Sequence, residues 1–250
     1  MADVPAVSAT VLTDPYCAWS WAAEPQLRRL QVEFAASLRF TFVIVGLQRD
    51  AAALAYDVVE AAAESGMPAD ARVFLRDPPA STHPAGLAIT AVAEQGDPGP
   101  YIRRLREAIL LERRRMDTAP ALLDAAREVG GLDLDRLRID FGSNAIVERF
   151  GADIERGRGA RTPAIAFGGG EPVPPERWRE AAVAAGAEAV GDGFPGVEEA
   201  LRRFGPMATP EVAAVCDLVG PRAPAELWRL GLEWRVRARR VVGGELWELA

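Results

Sequence analysis

The sequence predicts an α/β protein whose small sheet is interrupted by a helical insertion and followed by a compact C-terminal appendage. Three observations carry this. An apolar run at 7–12, helix-spaced Leu27, Leu30 and Phe34, and alternating Leu38, Phe40, Phe42 and Ile44 read as strand, helix, strand. From about 50 to 158 the chain is rich in Ala, Arg and Leu at helical periods. At 161–167 a Pro followed by apolar residues reads as a strand again.

Taken in order, the first strand covers 6–13 and the first helix 19–36. Pro25 must kink that helix or fall in its opening turn, because it has no N–H to donate. The second strand ends near Gly46, and a connection of this length implies a parallel βαβ unit. The domain boundaries that follow are a first sheet part at 1–50, a helical insertion at 51–158, a second sheet part at 159–205 and an appendage at 206–250. Within the insertion, helices are predicted over 51–66, 85–95 and 101–115, from Thr118 to Gly130, and around Ile146, Phe150 and Ile154. The segment 67–82, beside prolines 68, 78, 79 and 84, reads as a loop. Gly168-Gly169-Gly170 is a hairpin turn with a short returning strand at 171–174, and 175–186 is a helix with Pro in its first turn. A phosphate-cradling role for these glycines is set aside, since no helix start with Lys-Ser/Thr follows. Residues 192–196 form a linker, and Val197, Ala200, Leu201 and Phe204 share a helix face. Gly205-Pro206 breaks the chain before two helices, 209–218 and 224–234, and a hairpin around Gly243-Gly244. Helix, helix, hairpin resembles a small winged-helix module.

Composition narrows the function. The chain has 250 residues, 49% of them hydrophobic, and a net charge of −7. All 29 basic residues are Arg. An acidic balance argues against nonspecific nucleic-acid binding, and the tail from 206 carries six Arg against six acidic residues. No stretch approaches the roughly 20 apolar residues that span a bilayer. Residues 1–5 lack the basic and apolar regions of a signal peptide. Two cysteines make no disulfide framework, so a cytoplasmic, reducing compartment is the simplest reading.

Cys17 falls where the first strand hands over to the first helix. A thiol there faces unpaired backbone N–H groups and the positive end of the helix dipole, and both favour the reactive thiolate. Asp14-Pro15-Tyr16-Cys17-Ala18-Trp19-Ser20-Trp21, followed by Glu24-Pro25, resembles the active-site signature of the DsbA-like disulfide oxidoreductases, in particular the cytoplasmic FrnE-like branch. The resemblance implies a thioredoxin fold with a helical domain inserted. It implies that Cys17, Ser20 and Pro163 stand at the catalytic positions, and that Pro15, Trp19, Trp21 and Thr162 contact the substrate. Thr162-Pro163 matches the pair that in the family carries a cis proline beside the active cysteine. The departure is Ser20, where the family has its second cysteine. A Cys-x-x-Ser site forms a mixed disulfide but cannot resolve it internally. It suits glutathione exchange, substrate trapping, or a role without redox chemistry.

Each site residue also has a plainer reading. Cys17 is otherwise a buried structural thiol, Ser20 a helix-capping residue, and Trp19 and Trp21 core aromatics. Cys216, in the apolar run 212–216, reads as a small core residue rather than a resolving thiol. The four other tryptophans read as packing. His83 is the lone histidine and sits by a Pro-rich loop, which speaks against a metal centre or a Ser-His-Asp triad. Glu24 and Glu112 show no paired spacing for acid–base hydrolysis, and nothing asks for NAD, ATP or a metal; glutathione enters only as a co-substrate. The partners implied are protein or small-molecule thiols and disulfides. Two rival functions remain: a glutathione-dependent transferase or isomerase similar to the kappa class, which places Ser where Cys17 stands here, and a noncatalytic adaptor.

Overall fold

The computed structural model describes residues 6–46, 50–190 and 193–250. The N-terminal residues 1–5 and Asp192 of the linker lie outside them. β1 (Val7–Thr13), α1 (Ala18–Ala22), α2 (Glu24–Glu33) and β2 (Leu38–Ile44) follow one another. β1 and β2 pair in parallel, with Val7 opposite Leu38 and Thr13 opposite Ile44. The single helix expected at 19–36 is two. Pro25 takes the second position of α2, and Ala23 closes α1 by donating to Trp19 O at 3.0 Å. A proline lacks the N–H that would have carried one helix through.

Among the described residues, seven helices then intervene before the sheet resumes: α3 (Ala51–Ser65), α4 (Arg72–Arg76), α5 (His83–Ala93), α6 (Gly99–Leu110), α7 (Ala119–Val129), α8 (Leu134–Asp140) and α9 (Asn144–Arg156). α3 is closed by Asp50, which accepts from Ala53 N at 2.8 Å, and by Gly66 at φ 70. α5 and α9 approach so closely that a Cβ on Gly86 would lie 2.4 Å from the Phe150 ring. Two helices depart from the sequence reading. α4 forms inside the segment expected as a loop, because Asp70 accepts from Arg72 N at 3.0 Å and Val73 and Phe74 are buried. α8 was not foreseen; Asp133 caps it, and only Leu137 is fully buried. α6 also stops at Leu110 rather than 115, and Arg113 beyond it has φ 60.

β3 (Ala164–Phe167) lies antiparallel to β1, giving the order β2-β1-β3. The expected returning strand reduces to one bridge, in which Ile165 and Val173 exchange N–H···O bonds of 3.0 and 2.9 Å. After a 3₁₀ turn at Pro175–Arg177, α10 (Trp178–Ala184) buries Trp178, whose Nε1 donates to Val173 O at 2.9 Å.

α11 (Val197–Phe204), β4 (Met207–Ala208), α12 (Thr209–Val215), α13 (Arg222–Leu232), β5 (Val236–Val241) and β6 (Gly244–Leu249) complete the chain. The second sheet is antiparallel in the order β4-β6-β5. This part therefore runs helix, strand, helix, helix, strand, strand. Val197, Ala200 and Leu201 of α11 share its core with Val212, Leu227 and Trp247, and Val32 of α2 joins them. Two further cores lie under the first sheet against α2 and α10, and within the helical part, where Tyr16 and Trp21 enter. Of the four later tryptophans, Trp178 and Trp247 pack as expected, whereas Trp228 and Trp234 are exposed.

Candidate active site

Asp14 and Pro15 build the turn that carries Cys17. Asp14 Oδ1 accepts from Tyr16 N at 2.9 Å, Cys17 N donates to Asp14 O at 3.2 Å, and Pro15 is buried in the turn. Cys17 is the N-cap of α1, with φ −76 and ψ 108. Its Sγ accepts from Ser20 N at 3.4 Å and lies 3.3 Å from Thr162 Oγ1 and 3.7 Å from Thr162 O. The Thr162-Pro163 bond is cis, as the resemblance implies. Residues 145 positions apart thus meet at one sulfur. Cys17 is only 5% exposed, so chemistry there needs a partner fitted against it.

A groove of about 520 Å³ lies beside the thiol, lined by Trp19, Gln26, Thr162 and Pro163 with Glu64 and Glu176 at its sides. Thr162 joins the two, touching Sγ and lining the groove. Trp21 does not line it. It is 1% exposed, donates from Nε1 to Pro68 O at 2.9 Å, and carries Arg103 over its ring at 4.2 Å. The substrate contact implied for Trp21 is therefore corrected to its plainer reading, a core aromatic. Ser20 sits at the third position of α1 rather than at its cap, and its hydroxyl accepts from Thr13 Oγ1 at 2.9 Å.

Behind Ser20 runs a buried polar chain that the sequence reading missed. Arg106 donates to Thr13 Oγ1 and to Glu24. Arg103 Nη1 reaches Glu211 at 2.8 Å and its Nε reaches Glu107 at 2.8 Å, while Arg28 Nε lies 3.2 Å from Glu211. The spacings Glu24–Arg28 and Arg103–Glu107, each four apart on a helix, were the available signal. Burial alone would push the Glu24 carboxyl up, but the charges of Arg106, Arg103 and Arg28 outweigh it and hold Glu24 below the usual range. A carboxyl lowered on folding binds fewer protons folded than unfolded. Its contribution is full above the unfolded value of about 4.3 and is lost as pH falls through the folded one. Urea midpoints of Glu24→Gln should therefore fall less steeply with acidification than those of the unaltered protein, between about pH 5 and pH 3. Parallel slopes for the two would remove Glu24 from the account of acid stability.

Cys216 lies in the third core, among Val212, Leu201 and Leu227. Burial, then the Glu199 charge, push its thiol up to about 11. His83 stands edge-on to Phe150 with ring centroids 5.6 Å apart. Among the described residues, no group of three His, Cys, Asp or Glu could hold a metal ion, and no helix is long and apolar enough to cross a membrane.

A helix-capping cysteine facing a cis Thr-Pro pair, on a βαβ core with a helical insertion, defines a thioredoxin-fold protein. Residues 11–159 match the family described as Thioredoxin, and the chain belongs to that family. It is similar to the ClpXP adapter protein SpxH of Halalkalibacterium halodurans, 29% identical over 160 residues, an alignment covering 57% of this chain and about half, 51%, of that protein. The protein of the same name in Shouchella clausii is 27% identical over 272 residues, covering 94% of this chain and 86% of its own length. In fold it is similar to the cytosolic disulfide reductase DsbM from Pseudomonas aeruginosa, solved with GSH, with a TM-score of 0.55 and 22% identity over 71% of this chain and 95% of that one.

Proposed function

We propose that this protein performs thiol–disulfide chemistry through the single nucleophile Cys17, in a reducing, cytoplasmic setting. The observation that carries the proposal is the placement of Cys17 Sγ at a helix N-cap, against the cis Thr162-Pro163 pair, with a hydroxyl at position 20. The Cys17 thiolate attacks one sulfur of a partner's disulfide. A Cys17–partner S–S bond forms as the partner's own S–S bond breaks, and the second sulfur leaves as a thiolate. Ser20 supplies no thiol to reverse this, so an external thiol, glutathione among them, attacks the mixed disulfide and releases Cys17. Thr162 and Pro163 hold the partner's backbone, and Trp19 walls the groove.

The first test is direct. The reduced protein, incubated with glutathione disulfide, should show one glutathione adduct by intact mass, absent in Cys17→Ser and retained in Cys216→Ser. An adduct that moves to Cys216, or none at all while Cys17 is alkylated by iodoacetamide, would sink the reading.

A second reading, a noncatalytic adaptor, is favoured by one observation. The Shouchella clausii relative, named as a ClpXP adapter, matches 94% of this chain, C-terminal part included. On that reading a protein partner occupies the groove without turnover, and the missing second thiol is no loss.

A further inference from the structure

The groove beside Cys17 holds more negative than positive charge. Among its described lining residues, two are carboxylates, the exposed Glu64 and Glu176, and one is a guanidinium, the exposed Arg161. None of the three has an ion-pair partner among the described residues, so Arg161 neutralises neither carboxylate by contact.

Helix α3 sharpens the imbalance. Glu64 and Ser65, both on the lining, form its C-terminal end, capped by Gly66 at φ 70. The last carbonyls of a helix have no partner within it and carry the negative end of its dipole, which favours a cation. α7, α8, α9, α11 and α13 each meet that preference with an Arg in the last turn. α3 has no basic residue in its last turn and places Glu64 there instead. The Ser65 hydroxyl donates to Ala61 O at 2.6 Å, back along its own helix, so it brings no proton to the groove. Departures from a local rule concentrate at functional sites, and here the element missing is a cation.

We propose that the groove selects a peptide disulfide whose cysteine is flanked by Lys or Arg. The proposal rests on Cys17 acting as the nucleophile, and it names the partner that this thiol prefers. The partner's cations sit by Glu64, the α3 carbonyls and Glu176, and their aliphatic stems pack on Trp19, Pro163, Pro174 and Pro175. The Cys17 thiolate attacks the partner sulfur beside Thr162. A Cys17–partner S–S bond forms as the peptide's own S–S bond breaks, and the other half leaves as a thiolate. Glutathione disulfide, a net anion, is then the slower partner, because like charge at the groove works against it.

Three disulfide-linked tripeptide dimers with blocked ends test this on the full chain carrying Cys216→Ser: Arg-Cys-Arg, Ser-Cys-Ser and Glu-Cys-Glu. Intact mass follows the rate of the Cys17 adduct. Each rate is divided by that of the same dimer with 2-mercaptoethanol, which cancels differences in the leaving thiol. The normalised rate should be about tenfold higher for the Arg peptide than for the Ser peptide, with the Glu peptide slowest. The preference should shrink at about 1 M salt, where the screening length is about 3 Å. In Glu64→Gln/Glu176→Gln the ratio of Arg to Ser peptide should fall toward one. In Glu226→Gln/Glu233→Gln, an equal change of net charge at carboxylates that pair with Arg229 and do not line the groove, the ratio should hold. No adduct with any dimer would sink the thiol reading and this proposal with it. Adducts from all three at equal normalised rates, or an Arg preference undiminished in Glu64→Gln/Glu176→Gln, would leave the thiol reading standing and overturn the proposal.

Discussion

Glu211→Gln is expected to lower the unfolding free energy by about 3–5 kcal/mol, the range for removing one partner of a buried ion pair. The Glu211 carboxylate is fully buried and accepts from Arg103 at 2.8 and 3.1 Å and from Ala208 N at 2.8 Å, with Arg28 Nε at 3.2 Å. Gln keeps one acceptor oxygen but no charge, so two buried guanidinium groups lose their shared counter-ion. Native domains are stable by only about 5–15 kcal/mol, so a loss of this size is a large fraction of the whole. Urea unfolding by circular dichroism reads it. The control is Glu233→Gln, whose carboxylate pairs at the surface with Arg229 and Arg235 and should cost under about 1 kcal/mol. If the two variants unfold together, the buried chain does not hold the protein.

The same carboxylate bears on the tail. Glu211 belongs to α12, Arg28 to α2 and Arg103 to α6, so the C-terminal part supplies the anion that neutralises the rest. Val32 of α2 is likewise covered by that part. A chain ended after Gly205 loses both, and is expected to unfold at lower urea than the full chain. A truncated chain as stable as the full one would show that Arg28 and Arg103 find other partners.

Legibility in the sequence follows how local each signal is. β1 and β2 were readable because alternation and apolar runs belong to one strand, and Pro25 because a missing N–H acts on its own helix. The Thr162-Pro163 pair was readable only through resemblance, since nothing in its neighbours says that it will meet a sulfur 145 residues earlier. α8 escaped because a helix that fully buries only Leu137 leaves hardly any apolar period. The Arg103–Glu211 pair escaped for a different reason. Helical spacing shows which face a charge occupies, but not that a carboxylate 108 residues further on will be buried against it. Trp21 was misplaced by proximity: it lies four residues after Cys17, yet its indole turns to Pro68.

Ser20→Cys is expected to convert background insulin reduction into measurable dithiol turnover. Ser20 N already donates to Cys17 Sγ at 3.4 Å, so the backbone of α1 places the two side chains on one helical turn, as a four-residue dithiol requires. The exchange of hydroxyl for thiol keeps the shape of the side chain. It removes the oxygen that accepts from Thr13 at 2.9 Å, and a buried donor left unmade costs about 1–3 kcal/mol, which the protein should survive. Arg106 continues to hold Thr13 Oγ1. Three outcomes then separate the readings. Gain of turnover in Ser20→Cys marks an oxidoreductase scaffold that has become monothiol. Activity of the unaltered protein with glutathione as the only thiol marks the glutathione-dependent reading. No turnover in either, with both active-site thiols of the variant titrating as free, marks the adaptor. Strong dithiol turnover by the unaltered protein would contradict the monothiol mechanism, unless Cys216→Ser abolished it. Cys216 is poorly suited to that part, because its thiol is buried in a different core and pushed up to about 11, so hardly any of it is thiolate at neutral pH.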